Sequence, residues 1–366
     1  MPIALDEYPI HQLPLPMNRV VTSDRNFYDR CYLNAHDRTG DVFLVTGLGV
    51  YPNLGVIDAY AVARTGERQY SVRYSDALPE RSLDQRVGGY QIDVVEPLRK
   101  LRVRCASPDG SLDFDLAWTG SFDAVQEDQH LLLAGSRPIL DASRFSQVGT
   151  WTGRLTVGGR EFEVTPDRWV GARDRSWGIR PVGESEPAGR PADDPTFGFW
   201  WVYLPLRFES SMVILIIAES PDGYRTLNTA KRVWPDGQVE QLGWPRIEIS
   251  YRQGTREPLG ATIGLTDRTG RSFCIEVEVL TSVPLHVGAG YGGDPDWAHG
   301  RWMGRGWSAT STHDLTDPAV AGRIPFGVTD HLARATLDGE EGWGMFEHSS
   351  MGRHDPSGFA DWSSVA

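Results

Sequence analysis

Turns interrupt this chain at intervals of roughly 8–12 residues, a spacing that admits short strands and leaves little room for long helices. Residues 41–49 (DVFLVTGLG), 55–64 (GVIDAYAVAR) and 69–74 (QYSVRY) are β-rich runs separated by glycine-bearing turns. Residues 98–105, 112–118, 150–157 and 160–164 continue the pattern, with Asp113 and Asp115 alternating against Leu112, Phe114 and Leu116. Gly158-Gly159 between two alternating runs is a strong hairpin signal. A helical period shows only weakly, at 75–86 and 317–323. The 40 Gly and 24 Pro disfavour helices, and the 13 Trp, 12 Tyr and 13 Phe suit pleated, half-buried surfaces. The expected fold class is all-β, as barrels or sandwiches.

The 366 residues exceed one ordinary domain. Residues 183–195 (GESEPAGRPADDP) hold three prolines and no large apolar side chain, which marks a linker near the midpoint. The expected division is an N-terminal β domain over 1–190 and a C-terminal one over 191–366. A G-x-W-x-G signature occurs at 149–153 and again at 300–304. Each copy is followed by a Trp-Gly pair, Trp177-Gly178 and Trp343-Gly344. Two matches in the same order suggest one β fold used twice.

A net charge of −13 argues against nucleic acid or an anionic membrane surface as partner. No run approaches the roughly 18 apolar residues of a membrane span. Residues 1–17 carry acidic groups and four prolines in place of a secretory leader, so a cytoplasmic location is expected. Cys31, Cys105 and Cys274 are too few and too widely spaced for a disulfide framework or zinc knuckle. Schiff-base chemistry would be confined to Lys100 and Lys231, the only lysines. G-x-S-x-G is absent, the His spacing suggests no metal site, and Gly288–Gly293 matches G-x-G-x-x-G without a helix to follow.

The densest polar constellation is residues 169–180 (WVGARDRSWGIR). As a strand it places Arg173, Arg175 and Trp177 on one face and Asp174 and Ser176 on the other. Asp174 is then either a proton donor in a cavity or part of an arginine–carboxylate scaffold. In residues 23–30, Asp24 can cap a turn, or Asp24, Arg25 and Tyr28 can line a barrel mouth. Tyr51 and Asn53, in a glycine-rich loop, can orient a ligand oxygen or serve as turn residues. Glu347 and His348 face opposite ways on a strand, so one of them can point into a cavity. An imidazole with a reference pKa near 6.5 suits acid–base work, although His348 and His331 can equally be structural.

The segments Arg173-Asp174-Arg175-Ser176-Trp177-Gly178, Phe199-Trp200-Trp201, Pro221-Asp222-Gly223 and Pro235-Asp236-Gly237 together resemble the carotenoid 1,2-hydratase (hydroxyneurosporene synthase)/AttH-like superfamily. The resemblance implies two tandem lipocalin-like (calycin) antiparallel β-barrels or sandwiches packed together. It also brings relatives that hydrate carotenoid double bonds, fungal relatives that catalyse pericyclic cyclisations, and members thought to bind lipids. Hydratase-like members carry His or another polar residue between the Asp and the Trp-Gly pair. Here Arg175-Ser176 stands there, so the general-acid role transfers to Asp174 alone.

The expectation is an enzyme without cofactor or metal, acting on a hydrophobic isoprenoid or polyketide-like alkene. It would be a hydro-lyase or an isomerase/cyclase, working by acid-assisted hydration, dehydration, isomerisation or cyclisation. Asp174 is the acid, with Tyr51, Glu347 and His348 as further catalytic candidates. Trp151, Trp177, Trp200 and Trp201 are cavity-wall candidates, whose aromatic faces can stabilise a carbocation. Asn53, Tyr28, Arg173 and Arg175 complete the substrate-binding candidates. The alternatives are a non-catalytic carrier of a lipid or other apolar molecule, and a scaffold locked by Arg173, Asp174 and Arg175.

Overall fold

In the computed structural model, which describes residues 2–187 and 197–366, the strands form two strongly curled antiparallel sheets. The first begins at one edge with Trp307–Asp314, then Arg68–Ala77, Val56–Thr65, Phe43–Tyr51 and Phe27–His36. It continues through Val170–Ile179, Arg137–Val157, Leu112–Gly120, Lys100–Ala106, Tyr90–Glu96 and Gln85–Val87. The second runs Val239–Gln241, Arg225–Val233, Met212–Glu219, Gly198–Arg207, Glu340–Gly352, Thr329–Leu337, Ser272–Pro284, Pro258–Thr266 and Arg246–Tyr251. The all-β expectation holds. Of the two weak helical periods, 317–323 contains an α-helical turn, Pro318–Ala321, capped by Asp317, and 75–86 contains no helix.

Three large cores organise the described residues. Leu33, Trp118, Trp151 and Leu155 fill the curl of the first sheet. Val202, Leu204, Ile275 and Phe346 fill that of the second. The third core lies where the two sheets meet, with Tyr32, Val45, Tyr60 and Ala172 from the first against Trp201, Tyr203, Ile214 and Met345 from the second. Strands at this junction are buried on both faces, so Gly198–Arg207 (GFWWVYLPLR) and Met212–Glu219 (MVILIIAE) read as nearly unbroken apolar runs. Leu112–Gly120 has one wet face and alternates cleanly.

The two G-x-W-x-G signatures occupy unlike positions. Trp151 is 1% exposed inside the first core, whereas Trp302 is 52% exposed outside any strand, so the repeat marks no structural equivalence. Of the linker expected at 183–195, residues 188–195 lie outside the described residues, as does the expected boundary between 190 and 191. Trp307–Asp314, from the second half of the sequence, pairs with Arg68–Ala77 along its whole length and joins the first sheet.

The segment between Pro284 and Trp307 crosses the junction and carries Tyr291 into it. Asp294 shapes its turn by accepting the N–H groups of Gly288 at 2.8 Å and Gly290 at 3.1 Å, and it pairs with Arg323 at 2.6 Å. Gly290 has φ +76°, and a Cβ there would stand 2.1 Å from the Trp297 ring. Gly290→Ala therefore combines left-handed strain with a clash, and we expect a loss of roughly 2–5 kcal/mol in denaturant unfolding. An unchanged midpoint would contradict this reading of the loop.

Candidate functional site

A cavity of about 130 Å³ opens in the seam between the two sheets. The first sheet supplies Tyr28, Arg30 and Tyr32 from Phe27–His36, Asp174 and Ser176 from Val170–Ile179, and Arg144 from Arg137–Val157. The second supplies Phe199, Trp201 and Tyr203 from Gly198–Arg207, and Glu347 from Glu340–Gly352. Each set is spaced by two residues along its strand, as one face of a pleated sheet requires. In the aromatic wall, Trp201 stacks with His130 at 6.0 Å and with Phe199 at 6.3 Å. Outside lies a larger cleft of about 1180 Å³, and Arg30, Arg180 and Tyr291 are walls common to both spaces.

Asp174 is 7% exposed, and its carboxyl group makes no hydrogen bond or ion pair among the described residues. Burial pushes its pKa up to about 7; Arg144 works against that shift, and the negative charges of Glu127 and Glu347 add to it. Near neutral pH it is a poised acid facing an apolar wall.

The carboxylates around it are engaged differently. Glu127 pairs with Arg144 at 2.5 Å and accepts the Ser146 hydroxyl, which also contacts Tyr203 at 2.7 Å. The Arg144 guanidinium lies 5.4 Å from the centroids of both Trp201 and Tyr203. Glu347 accepts the Trp201 indole N–H. Its cross-strand neighbour is Asp330, which is fully buried and accepts the Tyr32 O–H at 2.5 Å. Burial, followed by the charge of Glu347, holds Asp330 protonated well above the usual carboxylate range. The seam thus contains Asp174, an acid that titrates near neutrality, and Glu347 with the protonated Asp330 next to it.

Asp174, Glu347, Tyr28 and Trp201 are the sequence-predicted residues that the seam brings together. The parity argument for Val170–Ile179 holds, since Asp174 and Ser176 line the cavity while Arg173 and Arg175 face the other side. Neither arginine pairs with Asp174: Arg173 Nε donates to Gln147 at 2.8 Å, and Arg175 pairs with Asp29 at 3.1 Å. Trp177, on their face, is 37% exposed.

The remaining candidates lie elsewhere. Trp151 sits in the first core, edge-on to Trp118, its indole N–H donated to the Asn34 carbonyl at 2.8 Å. Trp200 faces the second core and stacks on His354 at 5.1 Å. His348 points the same way, bonded through Nδ1 to the Trp201 carbonyl and through Nε2 to the Tyr251 hydroxyl. Burial pushes its pKa down to about 3, so it stays neutral and serves structure. Tyr51 is one layer behind the cavity, packed with Tyr28, and donates its O–H to Asp58 at 3.2 Å. Asn53 is an exposed turn residue whose amide donates to the carbonyls of Thr22 and Asp24. His331 is buried with Nδ1 on the Phe346 carbonyl, and Asp24 accepts the Asn26 N–H in a local turn.

Arg30, Tyr32, Arg144, Tyr203, Tyr291, Glu127 and Asp330 did not emerge from the sequence as candidates. The signal for the first two was present, because Tyr28-x-Arg30-x-Tyr32-x-Asn34 repeats a polar tip at every second position of a β-run.

No curated protein matches the sequence. The solved structure of an AttH protein from Nitrosomonas europaea is similar with a TM-score of 0.53 at 14% identity, covering 93% of this chain and 98% of that one. It shows the same fold and bears out the AttH-like similarity expected from the sequence. Kievitone hydratase from Nectria haematococca matches with a TM-score of 0.48 at 15% identity, over 92% of this chain and 90% of its own. CghA, crystallised with Sch210972, matches with a TM-score of 0.49 at 12% identity, over 89% and 88%. At the level of sequence, the model of a family of unknown function, DUF8625, matches residues 3–360, and the chain belongs to that family.

Proposed function

We propose that this protein is an enzyme that protonates a hydrophobic, alkene-bearing small molecule in the seam cavity, with Asp174 as the general acid. The observation that carries this reading is the Asp174 carboxyl group, buried, free of hydrogen-bond partners among the described residues and opening onto an aromatic wall. A carboxylic acid that still holds its proton in a large fraction of molecules near pH 7 can transfer that proton to an alkene carbon. The positive charge that builds on the adjacent carbon faces the π surfaces of Trp201 and Tyr203 and the carboxylate of Glu347. Glu347 then accepts a proton from an incoming water, giving hydration, or from a neighbouring C–H, giving isomerisation. Attack by a second alkene of the same molecule moves the positive charge to a new carbon, and loss of a proton from the carbon beside it to Glu347 then completes a cyclisation. The chemistry asks of the protein a proton donor, a proton acceptor and a wall that excludes bulk water.

The test is incubation of the purified protein with a panel of isoprenoid and polyketide-like alkenes in D₂O, read by mass spectrometry. Deuterium bound to carbon in the product, absent with Asp174→Asn, is the expected result. Retention of lipids through purification with no alkene converted would overturn the proposal in favour of a carrier. The pH dependence is a second expected outcome. Because burial raises the pKa of Asp174 to about 7, the alkaline limb of turnover falls as pH rises through that value. A rate that climbs across the same range would exclude Asp174 as the donor.

A further inference from the structure

Two arginines guard the opening between the seam cavity and the outer cleft, and neither makes an ion pair among the described residues, although Asp58 and Asp174 act on Arg30 from beyond contact. Arg30 is 6% exposed, yet its guanidinium makes no hydrogen bond or ion pair among the described residues. Arg180, half-buried, likewise makes no side-chain hydrogen bond or ion pair among them. Their surroundings are aromatic: Arg30 lies 4.9 Å from the centre of the Tyr291 ring, and Arg180 lies 6.0 Å from that ring and 5.6 Å from Tyr28. Other cations of the region are satisfied, since Arg144 is paired with Glu127 and Arg175 with Asp29. Burying a guanidinium without a partner is costly, and buried cations are ordinarily paired. Both side chains line the shared wall of the two spaces, so an anion arriving from the cleft would meet them before it met Asp174.

We infer that the substrate carries a carboxylate next to its alkene, and that Arg30 and Arg180 bind this group at the opening while the unsaturated portion enters the cavity. The inference rests on the proposed reading of the seam as the site of alkene protonation, and it specifies the class of molecule. A cavity of about 130 Å³ is of the size that takes an aromatic ring, so a planar conjugated acid fits it with the carboxylate outside. The arrangement also has an electrostatic logic. Asp174 is faced by Arg144 and Glu127 on its own sheet, by Arg30 beside it, and by Glu347, Asp330 and Tyr203 from the second sheet. A further anion placed there disfavours the ionised form of Asp174, so a bound carboxylate keeps the acid protonated. By linkage, binding above neutral pH takes up a proton.

The experiment uses trans-cinnamate and its neutral amide, cinnamamide, as probes, with affinities measured by titration calorimetry in buffers of differing ionisation enthalpy. Cinnamate should bind about tenfold or more tightly than cinnamamide, the difference a charge-assisted contact supplies. At pH 8 its binding should take up a proton in the native protein and not in Asp174→Asn. Arg30→Met should erase the preference for the acid, and Arg30→Lys should restore part of it. Arg180→Met, at a half-exposed position, should weaken cinnamate alone and covers the case in which Arg30→Met fails to fold. Equal affinity for the two probes, no binding of cinnamate, or a preference that survives both methionine variants would overturn the inference. These are binding readouts, so failure here with Asp174-dependent deuteration intact removes only the carboxylate, whereas loss of deuteration removes the proposed reaction.

Discussion

Asp174→Asn is expected to reduce turnover about a thousandfold, within the range for loss of a general acid, and at the same time to raise the unfolding temperature at pH 8. The two effects share one cause. The folded state holds the carboxyl pKa at about 7, above its ordinary 3.8, so between these values the native protein binds more protons than the unfolded chain. The associated stability is complete at low pH and is lost as pH rises through 7. Three pH units correspond to at most about 4 kcal/mol, and relaxation around the buried charge reduces that figure. Asparagine keeps the shape and removes the charge. The variant should therefore match the native protein at pH 4 and exceed it at pH 8 by calorimetry. A variant that is less stable than the native protein at pH 8 would show that the ionised carboxylate has a structural partner. Retained turnover would show that the proton comes from elsewhere.

Arg144→Met is expected to cost about 3–5 kcal/mol at pH 8, because it leaves the Glu127 carboxylate buried and unpaired. Burial already pushes the pKa of Glu127 up, with Arg144 the main opposing influence. Removing the guanidinium raises it further, so the deficit is greatest above that new pKa and shrinks as pH falls and Glu127 takes up a proton. The double variant Glu127→Gln/Arg144→Met should recover most of the loss, since it removes both members of this buried pair. Failure of the double variant to recover would assign the loss to packing of the Arg144 stem against Trp201 and Tyr203. Arg144 also lowers the pKa of Asp174, so the alkaline limb of turnover in Arg144→Met should move to higher pH.

The period of a strand is two, and that alone separated Asp174 from Arg173 and Arg175 and Glu347 from His348 before any coordinates. Which face meets a cavity is a different question, and local pattern does not hold the answer. Gly198–Arg207 is buried on both sides, so nothing within FWWVY distinguishes Trp201, on the seam, from Trp200, in the second core. The same ambiguity placed Trp151 at a ligand and left Tyr203 unnoticed. Tyr291 reaches the site on an irregular segment more than a hundred residues from Asp174, held by Asp294 and close-packed glycines. Its contribution depends on tertiary contacts that no spacing encodes. The expected cavity inside a barrel was also displaced: the curls are filled by their own cores, and the accessible acid lies where the backs of the sheets meet.

The strand Trp307–Asp314 has a consequence for how this polypeptide is made. Its hydrogen bonds to Arg68–Ala77 close an edge of the first sheet with residues synthesised more than two hundred positions later. A nascent chain that has emerged as far as the midpoint therefore presents an unsatisfied ladder of N–H and C=O groups along Arg68–Ala77. Such an edge is a template for pairing with any free strand, including the same strand of a neighbouring chain. A fragment ending near residue 190 should consequently self-associate, and a synthetic peptide spanning 307–314 should suppress that association by occupying the vacant position.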